Sequence, residues 1–190
     1  MRLWLLALLL VGCTNAPSPQ PAPAPALPEL GLATFTNLPA AARTTLSDCT
    51  VPQAFDTPQP HNVLKGEFAQ AGQRDWAIIC SQGGRSAIRV AWGGPRRCSS
   101  ELELTSNENL VKSLPDNKFG YTQRLELVEP AAVDRLNRRY GNLIPSPIAY
   151  QGLRQVLIGQ TTQVQYCHEG KWYRLQEPSA SAQSLQQVVP

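Results

Sequence analysis

Histidine occurs only twice in this 190-residue chain, at His61 and His168, and no CxxC pair or clustered His/Cys spacing is present. Zinc therefore finds no ligand set in the sequence, and the supply of general acids and bases is thin. Serines are scattered, with no nucleophile elbow among them. Long apolar runs are missing too: none approaches the roughly 20 residues that a membrane-spanning helix needs. Charge of one sign is equally scarce. The formal net charge is +3, and Arg2 supplies one unit of it, which is too little imbalance to imply a nucleic-acid partner. These absences lead to the expectation of no metal, no cofactor and no catalytic constellation.

What is present begins at the N-terminus. A positive charge at Arg2 precedes a nine-residue apolar run, Leu3–Val11, which is the layout of a secretory signal. Leu10-Val11-Gly12-Cys13 then resembles the lipobox of bacterial lipoprotein signal peptides. The resemblance implies cleavage before Cys13 and lipidation of its thiol, so that residues 1–12 are signal peptide and the chain is held at the membrane by acyl chains. Thr14 stands where, by the same resemblance, an aspartate would retain the protein at the inner membrane, and its presence implies passage to the outer membrane if the cell is Gram-negative. Prolines at 17, 19, 21, 23, 25 and 28 follow, interleaved mostly with alanine. Such a run favours polyproline II, and residues 13–30 are expected to form a tether reaching on the order of 50 Å.

The remainder, 31–176, is long enough for one domain with its own core, followed by a loose tail, 177–190, without periodicity. Four cysteines besides Cys13 stand in it: Cys49, Cys80, Cys98 and Cys167. In an exported chain an even count reads as two disulfides, with three possible connectivities. The strand-like runs NVLKGEF, RDWAIICS and SAIRVAW are separated by turn signals, and Gly83-Gly84 suits a two-residue hairpin. If Gln82 faces Arg85, Ile79 lies beside Ile88 and Cys80 beside Ala87. Trp76, Ile78 and Arg89 then share the opposite face, with the guanidinium over the indole. This register disfavours Cys80 with Cys98, because Cys98 follows a turn at Gly93-Gly94-Pro95 at the remote end of the hairpin. Cys49–Cys80 with Cys98–Cys167 is the pairing preferred between the two that remain.

A helix is expected over Leu38–Ser47, capped by Asn37, and a second one from Pro130 to Gly141 with Val133, Leu136 and Tyr140 inward and Arg135, Arg138 and Arg139 on a solvated face. A strand is expected over Tyr121–Val128, and a second hairpin in TTQVQYC-HEG-KWYRLQE. The fold class is α+β: a β-rich single domain of antiparallel hairpins with two or three short helices. His61, in a polar Pro-His-Asn connection, reads as a turn residue. His168 sits beside Cys167, but adjacent strand residues point to opposite faces, and a disulfide-bonded thiol is no nucleophile.

Gly66–Ser81, GEFAQAGQRDWAIICS, has the spacing of a calcium-binding turn. Gly66, Glu67, Phe68, Gly72, Asp75, Ala77 and Ile78 make it resemble one FG-GAP-type repeat, the blade unit of integrin-like β-propellers. The resemblance implies a propeller-blade-like hairpin and a loop whose alternate oxygens hold calcium. Here Glu67 and Asp75 keep the outer positions while Ala69 and Ala71 occupy the inner ones, so the ligand count falls short of six to eight. The expected role is structural, with Gly72 bending the backbone and Asp75 closing the turn opposite Arg74 or Lys65. No second copy is present, and a propeller needs four or more. His61–Trp92, with the later YQG and GKW elements, also resembles uncharacterised bacterial exported proteins that carry this unit once, which brings no activity with it. The function expected is a non-catalytic envelope lipoprotein that binds a protein or glycan partner; the alternative is an envelope hydrolase.

Overall fold

A computed structural model describes residues 27–115, 118–160 and 162–177. Cys13, the tether up to residue 26 and the tail from 178 lie outside the described residues. The first half contains β1 (Glu29–Gly31), α1 (Ala40–Thr45), β2 (Thr50–Pro52), β3 (Val63–Gly66), β4 (Asp75–Gln82), β5 (Arg85–Ala91) and β6 (Glu101–Ser106). The second contains β7 (Val111–Ser113), β8 (Phe119–Tyr121), β9 (Gln123–Val128), α2 (Pro130–Arg139), β10 (Gly152–Leu157), β11 (Thr162–His168) and β12 (Lys171–Gln176). One sheet runs β1-β2-β4-β5-β6, with β3 also paired to β4; a second is the antiparallel meander β12-β11-β10-β9; β7 and β8 form a small ribbon. This is the β-rich α+β class expected.

The layering follows from β4. Its residues alternate between two cores, so it is buried on both faces, as only a strand in the middle of a stack can be. Trp76, Ile78 and Cys80 pack with Val51 and with Phe35, Leu38, Ala42 and Leu46 in and beside α1. Ala77 and Ile79 point the other way and, with Ile88, Val90 and Leu102, meet Leu125 and Leu153 of the second sheet. The outer face of that second sheet, through Val128, Val164, Tyr166 and Leu175, is closed by Val133 and Leu136 of α2 and by Ile144. The order is therefore helix, sheet, sheet, helix.

The hairpin register is the expected one, from Gln82 opposite Arg85 to Trp76 opposite Ala91. Arg89 does not lie over Trp76, however. The indole is buried under α1, while Arg89 reaches Glu101 across the β5–β6 pair at 3.0 Å. Helix α1 is shorter than expected because Pro39 keeps an extended backbone and itself caps the helix, without a side-chain bond. The turn ahead of α1 is held by Arg43, which donates to the carbonyls of Leu38, Leu32 and Phe35. In α2, Pro130 opens and Gly141 closes with φ +77 as expected. Yet Tyr140 is exposed, and the third inward position belongs to Asn137, which bonds both backbone groups of Ile144.

Two departures concern strands. Strand β1 starts at Glu29, inside the segment read as tether, because its backbone pairs with β2 from Glu29 opposite Pro52 to Gly31 opposite Thr50. The expected strand Tyr121–Val128 is interrupted at Thr122, whose backbone and hydroxyl both donate to the Leu110 carbonyl.

Candidate functional site

The Gly66–Asp75 turn links β3 to β4, and its centre is the Asp75 carboxylate, which is wholly inaccessible to solvent. Oδ2 accepts the Phe68 N–H at 3.0 Å; Oδ1 accepts the Gly93 N–H at 2.9 Å and the Gln73 amide at 2.8 Å. The partners are thus N–H donors rather than Arg74 or Lys65. Several hydrogen bonds to a buried carboxylate replace the water it has lost. Gly72, at φ +80, turns the loop in a conformation that glycine adopts without strain. Glu67 acts through its backbone, donating to the Gln151 side chain and accepting from the Gln151 N–H.

The loop also holds a second segment in place. Besides bonding Asp75, Gln73 donates to the Arg96 carbonyl at 2.7 Å and accepts the Arg96 N–H at 3.3 Å. The approach depends on Gly93 and Gly94. A Cβ on Gly93 would lie 1.9 Å from the Arg74 carbonyl oxygen, and one on Gly94 2.3 Å from Gln73 Oε1. Past Arg97 the same segment is fastened twice more, by the Cys98–Cys167 disulfide and by Trp172, whose indole N–H donates to the Ser99 carbonyl at 2.9 Å. Arg96 and Arg97 therefore project from backbone that is bracketed on both sides, although both side chains are exposed.

They line a cleft of about 530 Å³ together with Gln70, Tyr150, His168 and Glu169. Tyr150 is half-buried, donates to the Cys167 carbonyl at 2.7 Å and stacks on Tyr166 with ring centres 4.8 Å apart. Burial pushes the Tyr150 hydroxyl above its usual pKa, with Tyr166 and Arg96 opposing and Glu169 adding to the rise. None of the seven ion pairs found among the described residues involves Arg96 or Arg97. A second groove, of about 380 Å³, runs between α1 and the first sheet, where Lys65 and Arg74 flank Trp76 and Trp92.

The other expected site residues fall as follows. Cys49 is joined to Cys80 and Cys98 to Cys167, the preferred pairing. Among the described residues no three His, Cys, Asp or Glu side chains gather into a cation site. His61 is not a surface turn residue. Its Nε2 accepts the Ala54 N–H at 2.7 Å while its backbone N–H donates to the Gln53 side-chain oxygen, and burial holds its pKa below the usual value.

Sequence reading missed Gln73, Arg96, Arg97 and Tyr150. The available signal was Gly93-Gly94-Pro95-Arg96-Arg97-Cys98, in which paired glycines and a disulfide cysteine frame two adjacent cations. No family model, no curated protein and no solved structure matches this chain.

Proposed function

We propose that the chain is a lipid-anchored bacterial envelope protein, facing the periplasm or the cell surface, whose sandwich domain is a non-catalytic binding module carried on the Pro/Ala-rich tether. The reading of the turn as a degenerate FG-GAP-type unit belongs to this proposal, with the loop's role changed from holding an ion to holding the Arg96 segment. The observation that carries the envelope assignment is the pair of closed disulfides, Cys49–Cys80 and Cys98–Cys167, since such bonds persist in oxidising compartments.

The junction between tether and domain is built to suit an anchored module. Glu29, one residue past Pro28, accepts hydroxyl bonds from Thr50, Ser81 and Tyr121, the last two at 2.9 and 2.7 Å. Burial and this bond to Glu29 raise the Tyr121 pKa, so the phenol stays a donor. The chain is thus tied into three elements where the tether enters. An envelope hydrolase would draw on the same cluster, with Ser81 as nucleophile beside Glu29. Ser81 is buried and is only one of three donors to that carboxylate, which favours fastening over catalysis.

Fractionation with fatty-acid labelling tests the anchor. Cys13→Ser is expected to lose label and membrane retention while the domain stays folded; label persisting on the variant would refute lipidation. Crosslinking of the intact protein in cells tests the module, and recovery of no envelope component would refute it.

A further inference from the structure

The cleft at Arg96 and Arg97 has the features of a site built for an anion. Its cationic segment is held by three independent fastenings: Gln73 on the Arg96 backbone, the Cys98–Cys167 disulfide, and Trp172 on Ser99. Backbone order of this kind reduces what a ligand must organise on binding. The two guanidinium groups have no carboxylate partner among the ion pairs of the described residues, and a guanidinium presents a planar fork that matches phosphate or carboxylate oxygens. The His168 imidazole also lines the cleft, and Glu169 is the one acid among its lining residues. The volume, about 530 Å³, falls in the range of small-ligand sites. Tyr150, Pro95 and Pro147 also line the cleft, and their rings suit a sugar-sized body with apolar C–H faces.

We propose that this cleft binds a sugar bearing a phosphate or carboxylate group, with the oxyanion between Arg96 and Arg97 and the sugar against Tyr150, Pro95 and Pro147. The proposal rests on reading the domain as a binding module, and gives that module its ligand class: the acidic sugars of envelope glycans. It also supplies a use for the calcium-type turn. Asp75 and Gln73 fix the backbone from which a cation projects toward an oxyanion.

Calorimetric titration of the full chain, purified in an uncharged detergent, tests this with glucose 6-phosphate, glucuronate and glucose as probes. At least one sugar acid is expected to bind with one-to-one stoichiometry and roughly tenfold or more tighter than glucose, with affinity falling as salt rises. The phosphate and carboxylate arms separate the two oxyanions. Arg96→Gln combined with Arg97→Gln is expected to weaken binding about tenfold or more, the loss of charge-assisted bonds, with melting unchanged because both side chains are exposed. Arg135→Gln, on the exposed face of α2, is expected to bind as the natural protein does. Binding no tighter than glucose for both acids, or a double variant that binds as well as the natural chain, overturns the ligand assignment. The module reading survives that result so long as crosslinking in cells still captures an envelope component.

Discussion

Replacing Asp75 with asparagine tests whether the turn is held together by its carboxylate. The side chain keeps its shape but exchanges one acceptor oxygen for an NH2 group. In the natural protein Oδ1 serves two donors, Gly93 and Gln73, and Oδ2 serves Phe68. With the amide oxygen at the Oδ1 position, the new NH2 faces the Phe68 N–H; in the flipped orientation it faces two donors. At least one buried N–H is then left without an acceptor, which costs about 1 to 3 kcal/mol. The bonds that remain lose the strengthening that a negative acceptor gave them. Together these put the expected loss at about 2 to 4 kcal/mol, a fall in melting temperature of roughly 5 to 15 °C for a domain of this size. Urea unfolding at constant pH, comparing midpoints at equal m-value, measures it. A variant within about 0.5 kcal/mol of the natural protein, the range of an ordinary surface substitution, would refute the account of Asp75 as the organiser of the loop.

Three further outcomes are expected. Replacing both cysteines of a bridge by alanine should cost about 3.7 kcal/mol for Cys49–Cys80 and about 4.4 kcal/mol for Cys98–Cys167, from sequence separations of 31 and 69 in the chain-entropy account; chemical denaturation ranks them, and the reverse order would contradict it. His61, whose folded pKa is lowered by burial, is neutral in the fold and accepts the Ala54 N–H. The unfolded chain therefore binds more protons below the ordinary histidine value of 6.5, so stability contributed by this group is present above that pH and is lost as pH falls through the depressed folded pKa. Denaturation midpoints should drop over that window less steeply in His61→Gln, and equal slopes would contradict the assignment. Calcium should leave melting of the natural domain unchanged. If the FG-GAP-type alignment is right, Ala69→Asn with Ala71→Asp should restore calcium-dependent stabilisation on the order of 1 to 3 kcal/mol well above Kd; calorimetry that finds no binding by the double variant would undercut the alignment.

The β4–β5 hairpin was legible because local rules sufficed: β-branched runs, a Gly-Gly turn and a register that the turn imposes. Helix α2 was legible through Pro130 and Gly141 for the same reason. Strand β10 was not. Its inward positions are Leu153, Gln155 and Leu157, opposite Leu127, Leu125 and Gln123 of β9, while Arg154 faces outward. A buried glutamine breaks the apolar alternation by which a strand is recognised. What makes Arg154 acceptable is tertiary: it pairs with Glu126 and Glu177, while Arg124 joins Glu126 to Asp56. Burial alone would raise the Glu126 carboxyl, but hydrogen bonds from Arg124 and Arg154 outweigh it and hold the group below its usual pKa. No local pattern around GLRQVL carries that information.

The same distinction explains why the polar connection through Pro60 carries no visible sign that Gln53 and Asn62, at its two ends, form a buried junction. Gln53 and Asn62 are almost fully inaccessible to solvent. Gln53 donates to the carbonyls of Val51, Pro52 and His61 and accepts the His61 N–H. Asn62, at φ 66, donates to Pro52 and Gln123 and accepts the Leu125 N–H, while its own carbonyl accepts the Ile79 N–H. One residue thus links β2, β4 and β9 across the two sheets, its amide side chain reaching β2 and β9 and its backbone carbonyl β4. A buried polar group without partners costs free energy, and these two amides find theirs where backbone donors and acceptors from different elements converge. Asp75 follows the same logic on the other side of β3, joining Phe68, Gln73 and Gly93. In both places a polar side chain orders irregular backbone between strands, and its composition resembles that of a loop or a metal turn because the chemistry of holding N–H groups and of holding a cation calls on the same oxygen-bearing residues.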